Sequence, residues 1–222
     1  SMGTAFSFPC SDNGHQVSVV GTHLENDFID QINSVKKHPI LNCDIPKNVK
    51  FFKIEKLKEE INKKVDLIAI AVISKGIEWA SLELSKVLKN NIPILILTKG
   101  LSINNNDYEV LAHKMERILK KKDIKKTNIT GVGGPCLAKG LSDKVHTSVV
   151  FANTNIQTAN QIKKLFSTNY YHVSVTDDLV GVEVCAAIKN IFSMAIGSTK
   201  ELNTAAALIQ QSINEMIIFT EK

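Results

Sequence analysis

Asp66-Leu67-Ile68-Ala69-Ile70-Ala71-Val72 is a near-continuous apolar run. It lacks the alternation of a strand with one wet face. A strand covered by helices on both faces reads this way, and such strands belong to parallel sheets. The neighbouring segments repeat the signal. Pro93 to Leu97 is a second apolar run, and Val17 to Val20, Asn128 to Val132, Ser148 to Phe151 and His172 to Val175 are further short strand candidates. Between them the spacing predicts helices over roughly 25–36, 76–90, 108–121 and 155–166. Strands alternating with helices imply βαβ units. The polar segment Asn104 to Asp107 reads as a turn before a helix.

From about Asp177 the strands stop. Two helices are predicted over roughly 178–197 and 203–221. The pattern therefore divides the chain into a Rossmann-type α/β domain with a mostly parallel sheet, residues 1–176, and the beginning of an all-helical domain, residues 177–222. The start of the chain reads as a helix following Ser1-Met2-Gly3, which Pro9 should kink or interrupt. Gly3 ahead of a helix, with a strand at Val17, suits the last glycine of a dinucleotide-binding turn. There the helix N-terminus faces a pyrophosphate.

Composition sets limits. The chain has 222 residues, 44% of them hydrophobic, enough for a substantial core, but only 6% are aromatic, so aliphatic side chains must fill it. No apolar run approaches the roughly 18 residues of a membrane span, and no secretory signal opens the chain. Cys10, Cys43, Cys136 and Cys185 form no CxxC pair, which argues against a zinc or redox motif and for reduced thiols in the cytoplasm. A net charge of +5 suits an anionic small molecule. The basic run Lys120, Lys121, Lys122, Lys125 and Lys126 carries no interleaved aromatics and falls at a predicted helix end, so it reads as a solvated terminus rather than a nucleic-acid surface.

The chemistry concentrates in Thr176 to Asn190. Asp177 and Asp178 open a helix as cap and dipole partners. Val180, Val184, Ile188 and Ile191 recur at helical spacing and predict a buried stripe, with Lys189 beside it. A buried lysine is destabilised as a cation, and one tuned in this way can give a proton to a developing alkoxide and take it back. A lysine whose ammonium snorkels to water fits the same spacing. Asn203, with Thr204, reads as an N-cap or as a polar active-site residue.

In order along the chain, several segments resemble the NAD(P)-dependent glycerol-3-phosphate dehydrogenases. These are Ser1-Met2-Gly3-Thr4-Ala5, His38-Pro39, Ile45 to Val49, Ala71 to Ser74, Thr98-Lys99-Gly100-Leu101, Gly134 to Lys139, and Gly181-Val182-Glu183 with Lys189-Asn190. The resemblance implies hydride transfer between NAD or NADP and the pair dihydroxyacetone phosphate and sn-glycerol 3-phosphate, in a homodimer. It implies that Lys189 is the general acid, and that Lys99, Gly134, Cys136 and Asn190 meet the substrate. It places Ser1, Met2, Gly3, Lys99 and Ala138 against the cofactor. Cys136 stands where a hydroxyl residue is usual, and a thiol is a weaker donor. Gly21-Thr22-His23 offers no clamp for a 2′-phosphate, which leans the cofactor toward NAD. The resemblance also implies a first strand ahead of Ser1 and more helices after Lys222. A reductase of another keto acid or keto sugar phosphate, and a catalytically incomplete fragment, remain the alternatives.

Overall fold

The computed structural model describes residues 1–89 and 91–220. The ends of the helices expected over 76–90 and 203–221 fall on positions outside the described residues. In chain order the elements are α1 (Met2–Asp12), β1 (Val17–Val20), α2 (Asn26–Val35), β2 (Lys37–His38), β3 (Cys43–Asp44), β4 (Val49–Phe52), α3 (Leu57–Asn62), β5 (Ile68–Ile70), α4 (Ile77–Ser85) and β6 (Ile94–Ile96). There follow β7 (Leu101–Asn104), β8 (Asp107–Val110), α5 (Leu111–Lys120), β9 (Ile129–Gly133), α6 (Ala138–Ser142), β10 (Thr147–Ala152), α7 (Ile156–Phe166), β11 (Tyr171–Thr176), α8 (Leu179–Gly197) and α9 (Leu202–Thr220).

The main sheet has the order β11-β10-β9-β6-β5. β5–β6, β6–β9 and β10–β11 are parallel, and only β9–β10 is antiparallel. β1 pairs with β4, in parallel, as a separate two-stranded sheet. Alternation along β6 builds both faces of the core, since successive side chains of a strand point to opposite sides. Ile94 and Ile96 pack with Ile77 and Leu84 of α4 and Met115 and Leu119 of α5. Leu95 faces the other way, toward Phe6 of α1, Phe151, and Phe166 of α7. The arrangement is a three-layer α/β/α stack. A third, smaller cluster of Ile29, Ile32, Val49 and Phe51 joins α2 to the β1–β4 pair.

The run at 66–72 behaves differently from expectation. Only Ile68–Ile70 forms a strand, and Ala69 is exposed. β5 has one neighbour in its sheet, so half of its hydrogen-bonding groups find no ladder there. β6 and β9 are buried at every position.

Pro9 does not interrupt α1, which runs through it to Asp12. A proline in a helix interior removes a hydrogen bond and costs about 3 kcal/mol. Here Thr4 to Pro9 are all buried, and that packing outweighs the local penalty. The expected turn at Asn104 to Asp107 joins a hairpin, β7–β8, ahead of α5. Asn105 and Asn106 both take positive φ (51° and 70°), the conformation of a two-residue hairpin turn that asparagine tolerates.

The stripe expected on α8 is also corrected. Val180 and Ile191 are 45% and 68% exposed, and the buried positions are Leu179, Glu183 and Ala186. Only the first half of α8 lies on the sheet; the second half extends past it with α9 as its helical neighbour. By length and composition α8 meets the requirement for crossing a bilayer, with a mean hydropathy of 1.7. That overturns the expectation that no segment does, although Glu183 and Lys189 interrupt its apolar surface. Asn203 lies inside the first turn of α9, which begins at Leu202, so it is not the cap.

Candidate active site

β6 and β9 run parallel, so their carboxyl ends open on one edge of the sheet. Thr98 and Lys99 follow β6; Gly134, Pro135 and Cys136 follow β9. Open α/β sheets bind ligands at this edge. Thr98 Oγ1 donates to Val72 O across 2.5 Å, which ties the exit of β6 to that of β5. Lys99 Nζ donates to Gly134 O at 3.0 Å and so holds the two exit loops together.

Gly134 has φ +110°, where an added Cβ would come within 2.9 Å of Ser148 O and 3.0 Å of Val149 Cα. Only glycine meets that turn without strain. Gly133 acts through space rather than conformation. A Cβ there would be 2.8 Å from Val182 Cγ1, so its absence lets α8 lie directly on β9.

α8 then brings Lys189 to the edge. Asp178 caps the helix as expected, accepting from Gly181 N–H at 2.8 Å. Lys189 is half-buried and has no carboxylate partner among the described residues. Its ammonium lies close enough to Lys99 to act on it. Burial lowers the Lys99 pKa, and the Lys189 charge and a contact with Lys189 lower it further. Cys136 joins the pair: burial raises its thiol pKa, while the charges of Lys99 and Lys189 pull it down. The structure therefore gathers Lys99, Gly134, Cys136 and Lys189. The lysine with the depressed pKa is Lys99, whereas the sequence pattern pointed to Lys189 as the lysine tuned by burial.

Asn190 is exposed and makes no side-chain hydrogen bond among the described residues. It is not drawn into the cluster. Ser1, Met2 and Gly3 form the N-terminus of α1, where no side chain caps the free N–H groups. An added Cβ at Gly3 would be 3.2 Å from Ala71 Cβ, so the helix starts hard against the exit of β5. Ala138 opens α6, which packs on α1. A bare helix N-terminus with glycine at its closest approach fits the pyrophosphate of a dinucleotide.

Glu183, within the Gly181-Val182-Glu183 segment, adds a second ionisable group to α8. It is 6% exposed, and one carboxylate oxygen accepts from Ala112 N–H at 3.1 Å, at the N-terminus of α5. The other oxygen is buried without a partner. Burial raises its pKa to about 7 against the opposing pull of the Ala112 and Leu111 N–H groups. A carboxylate on an apolar helix, six residues before the lysine, was the signal available in the sequence.

Comparison with known proteins bears on this geometry. A family model described as "NAD-dependent glycerol-3-phosphate dehydrogenase N-terminus" matches residues 1–159, and its C-terminal counterpart matches residues 178–222. The chain belongs to the NAD-dependent glycerol-3-phosphate dehydrogenase family. Within that family it is 28% identical to an NADP(+)-dependent glycerol-3-phosphate dehydrogenase of Archaeoglobus fulgidus, over 97% of this chain and 65% of the relative. It is 30% identical to a glycerol-3-phosphate dehydrogenase [NAD(P)+] of Streptococcus agalactiae, over 97% and 63%. The chain thus spans less than two thirds of the length of these relatives. Among solved structures it resembles glycerol-3-phosphate dehydrogenase from Coxiella burnetii, with a TM-score of 0.80 and 24% identity over 97% of this chain and 64% of that one. It also resembles DsGPDH of Dunaliella salina, with a TM-score of 0.82 and 19% identity over 99% of this chain and 39% of that one. These likenesses carry the fold, and the family match rests on sequence.

Proposed function

We propose that the chain carries the catalytic half-site of a glycerol-3-phosphate dehydrogenase, interconverting dihydroxyacetone phosphate and sn-glycerol 3-phosphate. The observation that carries this reading is the convergence of Lys99 and Lys189 at the shared exit of β6 and β9. A nicotinamide dinucleotide, NAD or NADP, supplies the hydride when bound. Residues 1–176 form the dinucleotide-binding unit in this reading and residues 177–222 the start of the helical substrate unit. Ser1, Met2 and Gly3 present backbone N–H groups to the pyrophosphate, and Ala138 borders the nicotinamide.

Two facing lysines favour a dianionic phosphorylated substrate, because an anion between them offsets the repulsion of the two cations. Lys189 protonates the carbonyl oxygen as negative charge develops on it, and removes that proton in the reverse reaction. Lys99 orients the Gly134 loop and attracts the substrate. Gly134 and Cys136 complete the substrate contacts.

The exit of β1 favours NAD. Glu25 accepts from Thr22 N–H and Oγ1 at 2.8 and 3.0 Å, so a carboxylate rather than a cation follows β1, which suits a ribose without a 2′-phosphate. Tighter binding of NADPH than of NADH would overturn that preference. The relatives' names include both cofactors and do not decide it.

The exposed apolar residues Ile209, Ile213 and Ile217 on one side of α9 support association with a second copy. A monomer in sedimentation at micromolar concentration would count against the homodimer. The four unpaired cysteines support a reducing, cytoplasmic setting. The test of the reaction is oxidation of NADH or NADPH by the 222-residue chain, dependent on dihydroxyacetone phosphate. Turnover is expected. A well-folded sample that binds cofactor without turnover would favour the incomplete-fragment reading, and turnover only with another keto compound would reassign the substrate.

A further inference from the structure

We propose that His146 and His172 form a binding site for a divalent transition-metal ion such as Zn²⁺ or Ni²⁺. Nδ1 of His146 lies 3.0 Å from Nε2 of His172. The rings are nearly parallel, with planes 24° apart and centroids separated by 5.3 Å. The backbone sets this pairing. Ser148 aligns with His172 in the parallel β10–β11 register, and His146 sits one residue ahead of β10. Both side chains are exposed, so a hydrated ion reaches them directly.

The spacing suits a shared ion. Imidazole nitrogens bind zinc at about 2.0–2.1 Å, so two nitrogens at neighbouring positions of one ion lie roughly 3.0–3.4 Å apart. The observed separation is at the lower end of that range. Without metal, one ring donates its N–H to the other. A tautomer shift on the donating ring moves that proton to its outward nitrogen and leaves both facing nitrogens as lone-pair donors, with no net proton change in the neutral pair. Imidazole selects zinc, copper and nickel over calcium and magnesium, which prefer oxygen. No group of three or more His, Cys, Asp or Glu side chains gathers around an ion position among the described residues. Water therefore completes the coordination shell, and the ion pins edge strand β11 to the start of β10.

The site shares no residue with the Lys99–Lys189 cluster and does not depend on the proposed reaction. It is tested on the full chain with Ni²⁺ or Zn²⁺ alone, by titration calorimetry and by the shift in melting temperature. One equivalent is expected to bind and to raise the melting temperature. His146→Ala and His172→Ala should each weaken binding by about tenfold or more, while His113→Ala, at another exposed histidine, leaves it unchanged. Metal-free melting curves of the variants control for folding, and His172→Gln repeats the test with a bulkier neutral side chain. Isotherms for His146→Ala and His172→Ala that match the unaltered chain, or no saturable binding at all, would overturn the proposal.

Discussion

Replacing Glu183 by Gln should remove a component of the pH dependence of stability. The carboxyl is buried between α8 and the N-terminus of α5, and its folded pKa is raised from 4.5 to about 7. The folded state therefore holds the proton more tightly than the unfolded state. Between those two values the folded chain binds more protons, so this group's contribution to stability is fullest below pH 4.5 and declines until pH 7 is passed. The shift is about 2.5 units at about 1.36 kcal/mol each, or about 3 kcal/mol lost across the window. Glutamine keeps an acceptor for Ala112 N–H and cannot ionise. Urea unfolding of both proteins at pH 5 and pH 8 gives two pH differences, and subtracting them cancels every other titrating group. The unaltered chain should lose about 2–3 kcal/mol more than Glu183→Gln on going to the higher pH, less than the whole window because the unfolded carboxyl is already mostly ionised at pH 5. Equal losses would refute the placement of a strained, partly protonated carboxyl at the α8–α5 contact. At pH 8, Glu183→Gln should bind substrate no worse than the unaltered chain, because the cost of the buried charge is gone.

Three further outcomes follow from the site. Lys189→Ala should lower kcat by roughly 10²–10⁴-fold while the cofactor dissociation constant holds; near-normal turnover in stopped-flow or steady-state assays would remove Lys189 from proton transfer. Lys99→Ala should raise KM for the phosphorylated substrate more than it lowers kcat, and unchanged binding of substrate and cofactor would confine Lys99 to bracing the Gly134 loop. Gly134→Ala forces a side chain into a positive-φ position against the backbone of Ser148 and Val149, so it should cost about 1–3 kcal/mol in thermal or urea unfolding and loosen Lys99 with it; an unaltered melting temperature would contradict the close approach.

The sequence made the alternating architecture legible because each of its long helices and buried strands carries its own periodicity. β6 and α5 are cases in point: their apolar spacing alone assigns the right element. Short elements escaped. β4 (Val-Lys-Phe-Phe) is too short for its pattern to stand out, and the β7–β8 hairpin hides beside an asparagine turn whose positive φ values leave no apolar pattern. The α8 stripe failed for a different reason. Periodicity says which side chains share a face, but not whether anything covers that face. Val180 and Ile191 both satisfy the spacing and still lie exposed: Val180 sits in the first turn beside the buried Leu179 but off the face that Leu179, Glu183 and Ala186 bury, and Ile191 lies beyond those buried positions.

The site divides along the same line. Lys189 was visible as a cation in an apolar helix, because a local pattern was violated there. The depressed pKa of Lys99 was not visible. It depends on a loop after β6 meeting a helix some ninety positions later, and on Gly133 having no side chain to hold that helix away. Glu183 combines both kinds of information. Its oddity is local, a carboxylate among valines and alanines, while its meaning is tertiary, an orphaned oxygen against the start of α5. One helix thus presents an acid pushed toward neutrality at its base and a lysine at the ligand edge. The acid fixes the helix to the sheet, and the lysine places its charge where β6 and β9 end. Of the two, only the lysine faces Lys99, so a loss of proton transfer without loss of the fold must come from Lys189, whereas a change in the pH dependence of stability must come from Glu183.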